Sequence, residues 1–428
     1  MTTHTTSQKN PMARVMSLRD FRLLLAGTAT SLLGDQFALI ATPWLTLQLT
    51  GDPVALGTVL ALEGIPRALF MLIGGAITDR LSPRRIMLIA DFIRLFLTGL
   101  MAGAVLTGAV QIWMLYAFGL AFGLVAGFAV PAENSIVPMI VKEQDLQAGN
   151  SIMMGITQLI GFVGPTLAGI MIGGFSNSSF GVGLALAIDA VTFAVSAACL
   201  GLIRTGSQKQ VTTDAKESVW ASILTGIKYL WSDSVLRMMV FVLTAVNFLL
   251  MGPLLVGIPV LANQRLPEGA TAFGLLMSAF SGGSLIGYIL AGALPRPSGT
   301  MMRIIMLALL AAFGAVVAAL GVITSTWVDF VLLFLIGLGN GYIGIILFTW
   351  MQTRAPKEML GRIMSILMFS NTGLVPVSQA ISGMVSKWDL TFLFAIAGAL
   401  VLLVTLWAAL QPEMKLFSES LTVAAPAE

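Results

Sequence analysis

Apolar stretches of about 20 residues or more recur along the whole chain, separated by short polar interruptions. Each is long enough to cross a hydrocarbon core roughly 30 Å thick as a helix, the one open-ended structure that satisfies its own backbone hydrogen bonds there. Twelve such spans are expected: 21–49, 54–78, 85–108, 110–131, 146–174, 179–203, 237–262, 272–295, 302–323, 327–351, 363–386 and 390–411. The longest polar interruption, about Arg204 to Val235, divides six helices from six. The expected organisation is therefore a tail (1–20), a six-helix bundle (21–203), a central loop (204–236), a second bundle (237–411) and a second tail (412–428). Within the central loop, SVWASILTGIKYLW suits an amphipathic helix, lying on the membrane surface or packed as a linker.

The two halves echo each other. Lys142-Glu143 recurs as Lys357-Glu358, Ser151-Ile152-Met153 as Ser365-Ile366-Leu367, and Pro165 as Pro376, all at nearly one offset. Repetition of a six-helix unit is transporter architecture. The fold class expected is all-α integral membrane, two pseudo-symmetric six-helix bundles.

Composition strengthens this reading. Hydrophobic residues make up 57% of the 428 and charged residues only 10%, where a soluble chain carries about a quarter charged. Cys199 is alone, which excludes an internal disulfide, and the single His4 lies in a polar tail, so neither suggests a metal site. No phosphate-binding G-x-x-x-x-G-K-[ST] loop occurs, and no cofactor or nucleic-acid partner is expected. The first twenty residues lack a cleavable signal, so the first span is expected to be retained.

Charge distribution sets orientation. With the N-terminus in the cytoplasm, cytoplasmic segments hold nineteen of the 23 Lys and Arg; the other side holds Arg265 and Lys387, and Arg67 and Arg94 fall inside spans. By the positive-inside rule both termini are expected in the cytoplasm of a bacterial cell, with the chain in its inner membrane.

The segment Gly75-Ala-Ile-Thr-Asp79-Arg80-Leu-Ser-Pro-Arg84-Arg85 follows the second span. It resembles the loop signature of the major facilitator superfamily, with Ser82 and Pro83 replacing that family's usual second glycine and next basic residue. FRLLLAGTATSLLGD, IPR, IDAVTF and MQTRAPKEMLGR resemble the superfamily's drug:proton antiporter branch, which includes macrolide efflux proteins and the enterobactin exporter. The resemblance implies that Asp79 locks onto the helix start near Gly361 and Arg362, closing a cytoplasmic gate that also involves Gly75, Arg80, Arg84 and Arg85. A purely topogenic role explains the arginines and leaves Asp79 unexplained. In the fifth span, Gly155, Gly161, Gly164-Pro165 and Ala168-Gly169 resemble the superfamily's antiporter motif; a bent, closely packed helix accounts for them equally well.

Charges inside the spans are the sharper signal. Asp35, Glu63 and Arg67 fall near mid-membrane, where each costs about 2.5 to 3.5 kcal/mol on insertion scales. Arg67 neutralises one acid and not two, and the other acid is the candidate proton carrier. Asp35 is preferred because the first helix lines the cavity in the resembled fold; the alternative is a structural Glu63–Arg67 bridge with Asp35 satisfied by hydroxyls or water. Asp91, Arg94 and Asp189 are expected to pair structurally.

Candidate substrate contacts are Trp113, Tyr116 and Phe122 on the fourth span, with Asn247, Asn340, Tyr342 and Asn371 in the second half. With 24 Met, 24 Phe and 8 Trp, the chain offers an adaptable apolar lining suited to bulky amphipathic compounds. The function expected is a monomeric, proton-coupled exporter of hydrophobic or amphipathic small molecules, drug-like or siderophore, working in membrane lipid by alternating access. A lipid flippase or nutrient uniporter of the same fold is the first alternative, and a membrane enzyme or receptor a remote one.

Overall fold

The computed structural model describes residues 10–78, 82–204, 219–295, 297–354 and 372–423, and their side chains except at 72–78, 219–224, 226, 353 and 420–423. The helices are α1 (Pro11–Ser17), α2 (Arg19–Thr50), α3 (Pro53–Thr78), α4 (Pro83–Leu106), α5 (Ile112–Ile140), α6 (Leu146–Gly173) and α7 (Ser178–Leu202). They continue as α8 (Val219–Ser232), α9 (Ser234–Gly252), α10 (Ile258–Arg265), α11 (Ala270–Ala293), α12 (Gly299–Leu320), α13 (Thr326–Arg354), α14 (Val375–Trp388), α15 (Leu390–Leu410) and α16 (Glu413–Val423). Among the described residues there is no strand, and 11 helical stretches are long and apolar enough to cross a bilayer. The remaining expected span, 363–386, lies partly outside the described residues, and α14 covers its end.

Local chemistry fixes the helix ends. Asp233 caps α9 by accepting from the backbone N–H of Val235 and Leu236 at 3.0 and 3.1 Å, and Asp389 caps α15 by accepting from Phe392 at 2.8 Å. Gly51 closes α2 in the left-handed region at φ 61°, which glycine adopts without steric cost. Between α9 and α10 the segment Pro253–Gly257 forms a π turn. Pro253 and Pro259 lack an N–H, so the regular ladder is locally rearranged, but the helix runs on, and Ser234–Arg265 is the one span expected at 237–262.

Packing follows an inside-out rule, clearest on α4. Ile89, Phe92, Ile93, Phe96 and Leu100, spaced by three and four residues, are exposed, while Asp91, Arg94 and Thr98 on the opposite face are buried. The surrounding solvent for this face is lipid, so the polar groups turn toward neighbouring helices. Helix α4 packs on α7, α7 on α2, and α3 on α5; in the second half α11 packs on α13 and α12 on α15.

Chain direction alternates from helix to helix, so the turns at Gly51-Asp52, Asn177, Gly269 and Asp389 share one end, here the crown, opposite the base that carries α1 and α16. The halves meet toward the crown along two seams. In the α6–α11 seam, a Cβ on Gly169 would sit 2.7 Å from the Ala270 carbonyl and 2.9 Å from Gly274 Cα, and the Thr166 N–H donates to Ser278 Oγ at 2.9 Å. In the α3–α14 seam, a Cβ on Gly57 would lie 2.7 Å from the Gln379 carbonyl, and one on Gly383 would lie 2.7 Å from that of Pro53. Small residues let backbones approach this closely, which is how helices associate where apolar burial gives no net drive. Lys387 Nζ and Asp52 Oδ2, 3.0 Å apart, close the crown between halves. At the base, the ion pairs Arg14–Asp145 (2.6 Å) and Arg354–Asp233 (2.7 Å) each stay within one half.

Candidate functional site

The α5 glycines bring two charged helices together. A Cβ on Gly123 would lie 2.0 Å from the Glu63 carbonyl, so α5 rests directly on the α3 backbone. On α3, Glu63 and Arg67 pair across one turn at 3.7 Å, with side-chain exposures of 29% and 44%. On α4, Arg94 is buried and lies 3.4 Å from Glu133 Oε1 of α5. Phe122 and Phe193 flank its guanidinium at 5.4 and 5.7 Å, a cation–π arrangement that holds the charge in place.

Three further carboxylates surround Arg94 without a cation of their own. Asp91 lies one turn before it on α4, with Oδ2 buried and lacking a hydrogen-bond partner among the described residues. Asp189 of α7 is 0% exposed and has the Thr192 hydroxyl beside its carboxylate. A Cβ on Gly34 of α2 would come within 2.0 Å of the Thr192 hydroxyl and 2.4 Å of Asp189 Oδ1, so a larger residue there would displace both side chains. The next residue, Asp35, is half-buried near the middle of α2 and interacts electrostatically with Arg94, Glu133, Asp91 and Glu63. Asp189 in turn interacts with Asp35 and Arg94.

The cluster thus holds five carboxylates (Asp35, Glu63, Asp91, Glu133, Asp189) and two guanidiniums (Arg67, Arg94). Asp91 and Asp189 are the buried members, and an uncompensated buried ion costs several kcal/mol; Asp35, Glu63 and Glu133 are partly exposed.

The residues singled out by sequence are distributed as follows. Glu63 and Arg67 do pair, while the cation facing Asp35 is Arg94, a residue read from sequence as structural. The partner of Arg94 is neither Asp91 nor Asp189 but Glu133, which the expected span 110–131 excluded. Helix α5 runs on through Pro131 and Pro138 to Ile140, carrying Glu133 two turns before its end. An acid shortly after an apolar span that ends at proline was the available signal.

Arg84 donates from Nε and Nη2 to the carbonyls of Leu200 and Gly201, both at 2.7 Å, where a cation suits the last turn of α7. Arg85 is exposed. Gly75 falls in the last turns of α3, and Asp79, Arg80, Gly361, Arg362 and Asn371 lie outside the described residues. Gly155 faces open space, with nothing within 4 Å of where a Cβ would sit, whereas Gly164 packs on Gln36 of α2, and Pro165 and Gly169 form the seam with α11.

Trp113 is 57% exposed at the first turn of α5 and donates to Gln111 at 2.8 Å; Tyr116 packs on the core and Phe122 on Arg94. Asn247 donates to the Leu243 carbonyl at 3.0 Å, Asn340 is half-buried, and Tyr342 is buried beside Gly287. Gln158 of α6 and Tyr288 of α11, which sequence reasoning did not select, interact across the two halves. Among the described residues no group of His, Cys, Asp and Glu is arranged to hold a metal ion.

Two bundles of membrane-crossing helices, joined by close seams and burying charge between helices, define a polytopic membrane transporter. The chain belongs to the Major Facilitator Superfamily, whose sequence model matches residues 24–378. It is a transporter and not an enzyme. It is 25% identical over 354 residues to the multidrug efflux pump Tap of Mycolicibacterium fortuitum, covering 81% of this chain and 84% of that protein. To the enterobactin exporter EntS of Salmonella typhimurium it is 24% identical over 353 residues, covering 80% of each. Among solved structures, a bacterial homolog of the human lysosomal transporter Spinster, in an inward-facing and occupied conformation, superposes with a TM-score of 0.66 at 14% identity, covering 96% of this chain and 99% of that one. The nucleoside transporter NupG does so with a TM-score of 0.64 at 14% identity, covering 90% and 98%. At such identities these likenesses carry the fold alone.

Proposed function

We propose that the protein is a proton-coupled exporter of small hydrophobic or amphipathic compounds, acting as a monomer in a bacterial inner membrane with both termini in the cytoplasm. The observation that carries the proposal is the surplus of carboxylates around Arg94. A cluster with more acids than cations inside a bilayer lowers its cost by binding protons, and proton occupancy then changes how the helices attract one another. Asp35 is the carrier: it sits on α2, half-buried, and shares Arg94 with Glu133 and Asp91.

Export is supported by the relatives named as a multidrug efflux pump and an enterobactin exporter. Orientation is supported by the excess of basic residues on the base side, which makes the closed crown the outer end and the conformation inward-facing. The bundles 21–203 and 237–411, linked by 204–236, rock about the midplane, and the loop around Asp79 with Gly75, Arg80 and Arg362 closes the base in the opposite state. Gln158 and Tyr288, meeting below the α6–α11 seam, contact substrate.

Everted vesicles offered a fluorescent lipophilic cation in the external medium and given an acid-inside pH gradient test this. Asp35→Asn is expected to abolish gradient-driven uptake while leaving substrate binding to purified protein intact. Gradient-driven uptake equal to wild type removes Asp35 from the mechanism, and uptake without accompanying proton flux in the wild type favours a flippase or uniporter.

A further inference from the structure

Well away from the charge cluster, a cleft of about 510 Å³ opens on the outer surface of the second half, between α9 and α15, with α8 and α16 at its base end. Its floor is apolar. Phe241 and Trp407 meet edge to face with centroids 5.0 Å apart, and they remain 54% and 39% exposed. A soluble surface would bury such a pair; here it offers a track for a hydrocarbon chain.

The rim carries opposite charges that do not neutralise each other. Arg237 donates from Nη1 to the Trp231 carbonyl at 2.8 Å and lies 5.8 Å from the Trp231 ring, so its guanidinium is held in position at the cleft. Among the described residues it forms no ion pair, and most of its five N–H donors are left for another acceptor. Glu413, at the start of α16, also lines the cleft, and its Oε2 is sheltered from solvent without a hydrogen-bond partner among the described residues. Trp231, 65% exposed, stands where tryptophans anchor to the headgroup layer.

A fixed cation, an acceptor short of a donor and an apolar track beside them match one chemistry. We propose that this cleft is a binding site for a zwitterionic phospholipid of the phosphatidylethanolamine class. The phosphate lies on Arg237, the ammonium donates to Glu413, and one acyl chain runs along Phe241 and Trp407. Phosphatidylglycerol satisfies Arg237 but offers Glu413 only a neutral hydroxyl and no counter-charge, a weaker partner than a charged ammonium. A choline headgroup has no N–H to give Glu413.

Native mass spectrometry of the purified full-length protein, offered equimolar phosphatidylethanolamine, phosphatidylcholine and phosphatidylglycerol, tests the assignment. Wild type is expected to retain phosphatidylethanolamine preferentially. Arg237→Ala should lower retention of every phospholipid by about fivefold, the value of one interfacial cation. Glu413→Gln should lower phosphatidylethanolamine to the level of phosphatidylcholine while sparing phosphatidylglycerol. Unfolding temperatures measured without lipid should match wild type, separating lost binding from lost folding. As a measurement independent of any variant, phosphatidylethanolamine with a photoreactive acyl chain should crosslink to residues 237–244 and 407–413 of the wild type. Equal retention of the three lipids by wild type, unchanged phosphatidylethanolamine retention in both variants, or crosslinks confined elsewhere overturns the proposal.

Discussion

Lys387 Nζ lies 3.0 Å from Asp52 Oδ2, joining residues 335 positions apart in sequence and tying one half of the transporter to the other at the crown. The Lys387 hydrogen bond holds the Asp52 carboxyl below the usual carboxylate range. Asp52 favours the closed crown only while ionised, so its contribution is full above the ordinary value near 3.9 and is lost as pH falls through the lowered one. Both side chains are substantially exposed, so the pair contributes about 0.5 kcal/mol. Lys387→Ala should shift the population toward an open crown by about twofold, with no dependence on pH between about 5 and 8. Distance distributions between spin labels at the crown measure this.

The α6–α11 seam separates two glycines that sequence alone treats alike. Gly169→Ala places a methyl 2.7 Å from the Ala270 carbonyl, so the halves must part, and transport and crown closure should both fall severely. Gly155→Ala meets nothing within 4 Å and should leave transport unchanged while raising helix stability by up to about 1 kcal/mol. Vesicle transport and thermal unfolding in detergent distinguish the two substitutions.

Arg94 and Glu133 should respond unequally to neutralisation. Arg94→Ala leaves several carboxylates around an emptied guanidinium site and should destabilise the fold by about 3 kcal/mol or more. Glu133→Gln leaves Arg94 with Asp35 and Asp91 still in its field and should cost no more than about 1 kcal/mol. Equal losses in unfolding temperature would show that the pair is isolated from the other acids.

Asp233 combines a helix cap with an ion pair to Arg354. Partial burial raises its carboxyl, but the Arg354 hydrogen bond and the two backbone N–H groups outweigh this and hold it below its ordinary range. Asp233→Ala should cost about 1 to 2 kcal/mol at neutral pH. Because the native value is the lowered one, the difference between variant and wild type should shrink only as pH drops below about 4. Unfolding midpoints in detergent at pH 7 and pH 3.5 check both parts.

Much of the fold was legible because a bilayer allows few solutions: runs of about 20 apolar residues declare helices with little competition from other structures. The π turn at Pro253–Gly257 was hidden inside one apolar run, since hydropathy registers length and not the loss of a backbone donor. Glu133 was hidden by the opposite error, a proline taken as the end of a span when α5 continues past it. For the charge cluster, sequence found the α3 pair because its partners are one turn apart. It missed the association of Asp35 with Arg94 and Asp189 because those contacts depend on α2, α4 and α7 packing together, and periodicity identifies an inward face without naming the neighbour it meets.

The inside-out α4 has a consequence for how the chain is made. A helix with Asp91 and Arg94 on one face is poorly soluble in lipid by itself, yet its Arg94 partner, Glu133, arrives on the very next helix, within several seconds at ordinary synthesis rates. The α4–α5 hairpin can therefore enter the bilayer as a charge-matched unit. Asp189 is translated later, on α7, and lodges against a surface already formed by helices made before it. The order in which acids and cations leave the ribosome spares the membrane from ever hosting this arginine unaccompanied for long.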